Sequence, residues 1–287
     1  MTLKLNDYKF PLGLQTPKVI VVYIEAENSN INGDPDKDGA PRVCEYTFRG
    51  ILRSAAFKRK LRDYLLLRPD ERHFVQKGND LGKVQEPYTD PKKVVADFRD
   101  LRYFGSPLTD MKSRKIKDTQ IRGPFVVKES MTVDPVEIVD MSITRVAHHE
   151  KEDLVTKEKK EGANMGNTRM VRYGLYKVII TFDVAAAQKV GLTEEDMDLF
   201  WEALFECWEH TRSANRSDVN LRRVYCFDYP HRRGGVPQHI IKDWPKAVSN
   251  GEPQSFEDYT ITVNTDDMPE GMTFHAWEDG VTSFKEA

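Results

Sequence analysis

The chain has 287 residues, 31% of them charged, 39% in the hydrophobic set and 10% aromatic, with a formal net charge of −3. Such a balance supplies a sizeable core and excludes collagen-like, low-complexity and membrane-spanning classes, since no apolar run approaches the ~20 residues a span needs. The polar start Met1-Thr2-Leu3-Lys4-Leu5-Asn6-Asp7 does not read as a signal peptide, and the three separated cysteines (Cys44, Cys207, Cys226) suit a reducing compartment, so a cytoplasmic protein is expected.

Residues 18–26 (KVIVVYIEA) are β-branched and apolar and read as a buried strand. Turn chemistry fills 28–41, and 47–67 reads as a helix with Pro69 beyond its end. Residues 68–100 are mixed and polar. Short β-prone pieces follow at 125–127, 131–133 and 141–144, then a charge-dense stretch from Glu150 to Asn167 that reads as a loop. A second strand is expected over 173–182. Thr193, with Asp196 three residues on, caps the clearest helix, whose apolar positions Met197, Phe200, Trp201, Leu204, Phe205 and Trp208 keep a one-face helical period up to about His210. Strands are predicted at 224–227 and 259–263. Strand–helix, inserted β material, strand–helix and strand suggest an α+β fold: an RRM-like (ferredoxin-like) core with large β-rich insertions. The expected organisation is one elaborated domain over 1–287. Residues 18–66 form the first strand–loop–helix, 68–170 the inserted region, 171–250 the second strand–helix–strand, and 251–287 an acidic C-terminal segment.

Charge is unevenly spread. From Glu252 onward there are nine acids and one base, a net of −8, which leaves +5 on residues 1–251. Seven bases lie between Arg42 and Arg62 (Arg42, Arg49, Arg53, Lys58, Arg59, Lys60, Arg62), and on the predicted helix Arg49, Arg53 and Lys60 share one narrow sector. A second group is Lys112 to Arg122, and a third is Arg212, Arg216, Arg222 and Arg223, interleaved with Ser, Thr and Asn. Such clusters neutralise phosphates and release counterions.

Asp34, Asp36, Asp38, Gly39 and Glu45 match the spacing of a calcium loop, but no helix precedes them and Pro41 sits within the pattern, so a solvated acidic turn is the preferred reading. Cys207 and His210 lack a second close pair of zinc ligands. No phosphate-loop, dinucleotide or hydrolase motif occurs, and no nucleophile is paired with a base, so neither a catalytic residue, a bound metal nor a cofactor is expected.

Taken in order, N30-I-N-G-D-P-D36, P41-R42, F57-K-R-K-L-R-D-Y64, Q120-I-R-G-P124, S142-I-T-R145, Y173-G-L-Y176 and H210-T-R-S-A-N-R216 resemble the crRNA-binding backbone subunit of type I CRISPR Cascade complexes, closest to subtypes I-C and I-B. The resemblance runs from about residue 18 to about 245. It implies copies lined up along one guide RNA as a helical filament, an inserted hairpin (from 104–145 or 211–235) wedging between bases, and a guide left free to pair with target DNA. The partners it implies are the guide crRNA, target DNA, further copies of the chain, and large, small and crRNA 5′-handle-binding subunits, with no membrane. It places Asn30, Asn32, Gly33, Arg42, Lys58 and Arg59 near guide phosphates, with Arg122, Arg145, Arg212 and Arg216 as further contacts and Arg49 and Arg53 added from the basic cluster. The alternative it raises is a type III-like subunit that cleaves RNA with Asp34 and a divalent metal.

Overall fold

The computed structural model describes residues 13–145, 164–278 and 285–286. In chain order, β1 (Lys18–Ser29) leads into a loop closed by the two-residue ladder β2 (Gly33–Asp34) and β3 (Ala40–Pro41), then β4 (Arg49–Leu52) and helix α1 (Ser54–Leu65). Four short helices follow: α2 (Leu81–Gln85), α3 (Pro91–Asp97), α4 (Arg99–Phe104) and α5 (Thr109–Ser113). Strand β5 (Gly105–Pro107), between α4 and α5, pairs with β6 (Gln120–Arg122). Next come β7 (Phe125–Val127), β8 (Ser130–Pro135), β9 (Ile138–Arg145) and the 19-residue β10 (Asn164–Phe182). Helices α6 (Val184–Val190) and α7 (Glu194–His210) precede β11 (Val219–Asp228), a short α8 (Gln238–Ile241), the ladder of β12 (Pro245–Ser249) with β13 (Tyr259–Val263), and β14 (Thr273–Glu278) with β15 (Lys285–Glu286).

Among the described residues β1 is the axis of an antiparallel sheet of nine strands, with β10 on one side and β11 on the other. β7, β8 and β9 follow one another along the far edge of β10, β4 adds to β8, and β14 and β15 extend the sheet beyond β11. Both faces of β1 are covered, which is why its sequence is apolar without alternation. Ile20, Val22 and Ile24 pack with α1 and α7, while Val19, Val21 and Tyr23 join Tyr225, Phe227, Trp244 and Phe274 on the other face. The fold is therefore α+β, as expected.

Helix α7 follows its sequence closely. Thr193 and Asp196 form a reciprocal capping box, and all six positions of the apolar stripe are buried. It packs on α1, where the Phe57 and Trp208 ring centroids lie 6.0 Å apart.

Three expectations fail. The helix predicted over 47–67 begins only at Ser54, because Arg49–Leu52 is a strand paired with β8. Gly50 explains the switch. It is a weak helix former, and its missing side chain admits the Tyr176 hydroxyl, which would stand 2.6 Å from a Cβ there. Arg49, Arg53 and Lys60 consequently share no helix face. Second, the insertion expected to be β-rich opens with α2 to α5, which enclose their own core of Phe74, Val94, Val95, Phe98, Leu101, Leu108 and Met111. The apolar spacing there is short and broken by Asp, Gly and Pro, so no long period announces these helices. Third, Asn164–Asn167, expected in a loop, pair with Ser142–Arg145. The rest of that expected loop lies outside the described residues.

The helical insertion is fastened by charge. Asp100, fully buried, takes Arg62 Nε at 2.9 Å and the amides of Phe74 and Val75 at 2.8 and 3.0 Å. Asp196, equally buried, takes Arg102 Nε at 2.9 Å and is also paired with Arg99. Among the described residues no helix is long and apolar enough to cross a membrane.

Candidate nucleic-acid interface

Three segments meet at the C-terminal end of β1: the loop that follows it, the middle of α1, and the loop 211–218 after α7. Backbone bonds stitch the last to the first. Glu27 N donates to Asp218 O at 3.0 Å and Asn30 N to Asn215 O at 2.7 Å, while Ser29 Oγ accepts from Asp218 N at 3.1 Å. Arg216 Nε donates to the Asn30 carbonyl at 3.0 Å, and Lys60 Nζ reaches from α1 to the Thr211 carbonyl at 2.6 Å and hydroxyl at 2.9 Å.

The result is a group of cations held close together. Burial lowers the proton affinity of Lys60 and the Arg216 charge lowers it further; burial and the Arg59 charge act on Arg216 in the same sense. Asp63 opposes both shifts without cancelling them, and it also pairs with exposed Arg59 at 3.5 Å. An arriving polyanion would relieve this accumulated like charge. Beside the cluster a polar cavity of about 370 Å³ is lined by Asn30, Asp38, Gly39, Thr168, Arg169 and Asn215.

The loop residues expected at the guide shape the site from within. Asn30 and Asn32 are buried. Asn30 Nδ2 donates to Gly39 O at 2.6 Å, while its buried Oδ1 has no donor among the described residues, and Asn32 Nδ2 donates to Ile51 O at 3.2 Å. Gly33 faces Gly39 O so closely that a Cβ would lie 2.7 Å from it. Arg42 pairs with Asp34 at 3.0 Å, and Lys37 with Glu45 at 3.1 Å. Two carboxylates of the calcium-like spacing, Asp34 and Glu45, thus turn to cations, and among the described residues no cluster of three or more His, Cys, Asp or Glu side chains is placed to hold a metal.

The remaining expected residues divide. Arg212 sits in the 211–218 loop, donating to Ser217 O at 2.6 Å and Asn220 Oδ1 at 3.1 Å and pairing with Glu209 at 2.7 Å. Arg49 is exposed on β4, and Arg53, at the start of α1, lies 3.5 Å from Glu129. Lys58 lies over the Phe104 ring at 5.3 Å, and burial and the Arg62 charge lower its proton affinity. Two residues stand elsewhere. Arg122 pairs with Asp183 at 2.9 Å, next to Phe182 and therefore at the opposite end of β1. Arg145 closes the paired part of the β9–β10 hairpin, opposite Asn164. Reasoning from sequence missed Arg169, which lines the polar cavity and pairs with Asp140 at 3.2 Å, because 164–172 carries no period-2 alternation that would mark it as strand. Cys207 and Cys226 are fully buried, with thiols pushed up by burial, consistent with small core residues.

Residues 17–264 match the family model described as CRISPR-associated protein Cas7. A Cas7 protein of Haloferax volcanii is 26% identical over 228 residues, covering 67% of this chain and 64% of the relative, so the chain spans under two thirds of that protein's length. Among solved structures, a chain of a CRISPR RNA-guided surveillance complex in a pre-nicking state superposes with a TM-score of 0.56 at 13% identity, covering 84% of this chain and 85% of that one. A chain from another CRISPR RNA-guided surveillance complex gives 0.49 at 16% identity over 82% and 77% of the two chains. With nearly its whole described length matched by the family model, the chain belongs to the CRISPR-associated Cas7 family.

Proposed function

We infer that this chain is a non-catalytic backbone subunit that holds a CRISPR guide RNA by its phosphates and sugars in a type I surveillance complex, of subtype I-C. Several copies line up along the guide as a helical filament and leave its bases free to pair with target DNA, beside large, small and 5′-handle-binding subunits. The observation that carries the reading is the convergence of Lys60, Arg216 and Arg59 at the end of β1, like charges brought together where a polyanion would stabilise them. Family membership points the same way. An RRM-like core is supported by the strand order β11–β1–β10–β8, with α1 and α7 on one face. The β9–β10 hairpin extends beyond the register that β10 shares with β1, which suits it to the wedge role. Cleavage through Asp34 is disfavoured because Arg42 already occupies that carboxylate.

The test is to purify the full chain and record its 260/280 nm absorbance ratio beside a nuclease-treated control, then titrate single-stranded RNA at rising salt. Retained RNA and an affinity that falls with salt are expected. A nucleic-acid-free chain that ignores single-stranded RNA at low salt would overturn the reading.

A further inference from the structure

Beside the cation cluster, the Ser29 end of β1 carries a turn whose character is opposite to that of a cavity at the Lys18 end. β1 is 12 residues long, so its ends stand about 36 Å apart at ~3.3 Å per residue. At the Ser29 end, a tight turn is closed by Cys44 N to Arg49 O at 2.9 Å and Phe48 N to Cys44 O at 2.8 Å, and Val136 N holds the Phe48 carbonyl at 2.8 Å. Register places this turn beside the Ser29 end: Arg49 lies opposite Pro135 on β8, β8 runs along β10, and Tyr173 of β10 lies opposite Glu27. Phe48 adopts φ +54°, a strained conformation for an aromatic residue, and is 63% exposed, while Tyr46 is 92% exposed. Residues 34–48 contain four acids (Asp34, Asp36, Asp38, Glu45) and two bases (Lys37, Arg42), a net of −2.

At the Lys18 end a cavity of about 450 Å³ opens between Pro17, Phe182, Tyr229 and Pro237, with Arg232 and Arg233 on its rim. Tyr229 Oη donates to the Val236 carbonyl at 2.6 Å, which holds the rim loop in place. Residues 229–239 include no acid. Among the described residues the one carboxylate in the wall, Asp183, is already engaged by the amides of Ala185 and Ala186 at 2.8 and 3.1 Å and by Arg122 at 2.9 Å. The 34–48 segment thus carries net negative charge and presents aromatic side chains apart from the cation cluster at the same end; the cavity at the other end is basic and concave, with aromatic and proline walls.

We propose that the Glu45–Phe48 turn of one copy inserts into the Pro17–Phe182–Tyr229–Pro237 cavity of the next, with the Glu45 carboxylate, whose ion pair with Lys37 is solvent-exposed, turned to Arg232 and Arg233. The occupant is a second copy because both complementary halves belong to this chain. A nucleic acid would meet net negative charge at the turn. Surfaces at opposite ends of the molecule make a heterologous contact, which repeats head to tail instead of closing as a dimer. The inference rests on the self-association in the proposed function and assigns it two surfaces, neither of which includes the cation cluster.

The test places a photocrosslinking p-benzoylphenylalanine at Gln238, on the cavity rim, in the full chain incubated with a long single-stranded RNA. Crosslinked ladders whose junction peptide contains residues 44–48 of another copy are expected. In parallel, E45R and R233E should each reduce multimers by about tenfold, like charges then facing one another, and the double variant should restore them. All should bind an RNA too short for two copies as the wild type does. Multimers that form with crosslinks elsewhere, a crosslink to residues 1–12 of the same chain or to the RNA, or charge variants that multimerise normally would overturn the interface and leave the RNA reading standing. Wild-type chain that neither binds RNA nor multimerises would overturn both.

Discussion

Lys60 and Thr211 stand 151 residues apart in sequence, yet the Lys60 ammonium donates to both the carbonyl and the hydroxyl of Thr211, at 2.6 and 2.9 Å. This contact ties α1 to the 211–218 loop, and it places a cation where burial and Arg216 both work against its charge. Stability and function are therefore expected to separate at this position. Lys60→Met removes the bonds, at about 1 kcal/mol net each, but also removes a disfavoured buried charge. Its urea midpoint should shift by no more than about 1 kcal/mol equivalent, while its RNA affinity falls and the slope of log affinity on log salt shrinks by about one phosphate contact. An unchanged salt slope would remove Lys60 from the interface.

Much of this arrangement could be read from the sequence, and the limits have physical causes. β1 and α7 were legible because each carries one dominant pattern, a continuous apolar run buried on both faces and a capped helical stripe. Arg49–Leu52 was misread because helix and strand patterns overlap in so short a segment and the arbiter, Tyr176 against Gly50, lies 126 positions away. The cation cluster was half legible. Charge density marked 42–62 and 212–223, but only tertiary structure separates Lys60 and Arg216, which share a site, from Arg122, which sits at the other end of β1.

Asp196 anchors the helical insertion through Arg99 and Arg102 and closes the cap of α7. Burial works to raise its pKa, but Arg102, the Thr193 amide and Arg99 outweigh that and hold it below the ordinary aspartate range. A carboxyl with a depressed folded-state pKa contributes stability that is present above the unfolded value and is lost as pH falls through the folded one. Asp196→Asn leaves two half-buried guanidiniums short of a buried partner and should cost about 3 kcal/mol at neutral pH. Urea melts at pH 7 and in the acid limb should show the deficit shrinking as pH falls. A deficit that is the same at pH 7 and throughout the acid limb would show that the folded-state pKa of Asp196 equals its unfolded value, so that Arg99 and Arg102 do not favour its charge.

Gly33→Ala tests the loop directly. A Cβ would sit 2.7 Å from the Gly39 carbonyl, a backbone atom, so β2 and β3 must separate and the Asn30 side chain loses its 2.6 Å bond to that carbonyl. The loop buries little of the main core, and global stability should change by less than about 1 kcal/mol, as for changes away from packed interiors. RNA affinity should fall by about tenfold, the equivalent of roughly 1.4 kcal/mol. Limited proteolysis should expose a new cleavage within residues 30–42. Wild-type affinity in the alanine variant would mean that the loop conformation does not shape the interface.

Lys177 offers a pH signature outside the interface. Its ammonium is half-buried on β10, donates to the Pro245 carbonyl at 2.7 Å and lies over the Tyr23 ring at 5.8 Å. Burial lowers its pKa from 10.5 to about 8. Between those values the unfolded chain holds the proton that the folded chain has released, so the Lys177 contribution to stability rises with pH across that window and is lost as pH falls through about 8. Buried tyrosines act in the opposite direction at the alkaline end. Tyr23 and Tyr176 are raised by burial, keep their protons when folded, and lose stability as pH climbs past the ordinary tyrosine value of 10.0. The informative quantity is therefore the difference between wild type and Lys177→Met in urea midpoint from pH 7 to 10. Relative to the methionine variant, the wild type should gain stability steadily above pH 8. A flat difference would place the Lys177 proton affinity at its ordinary value and its ammonium in contact with water.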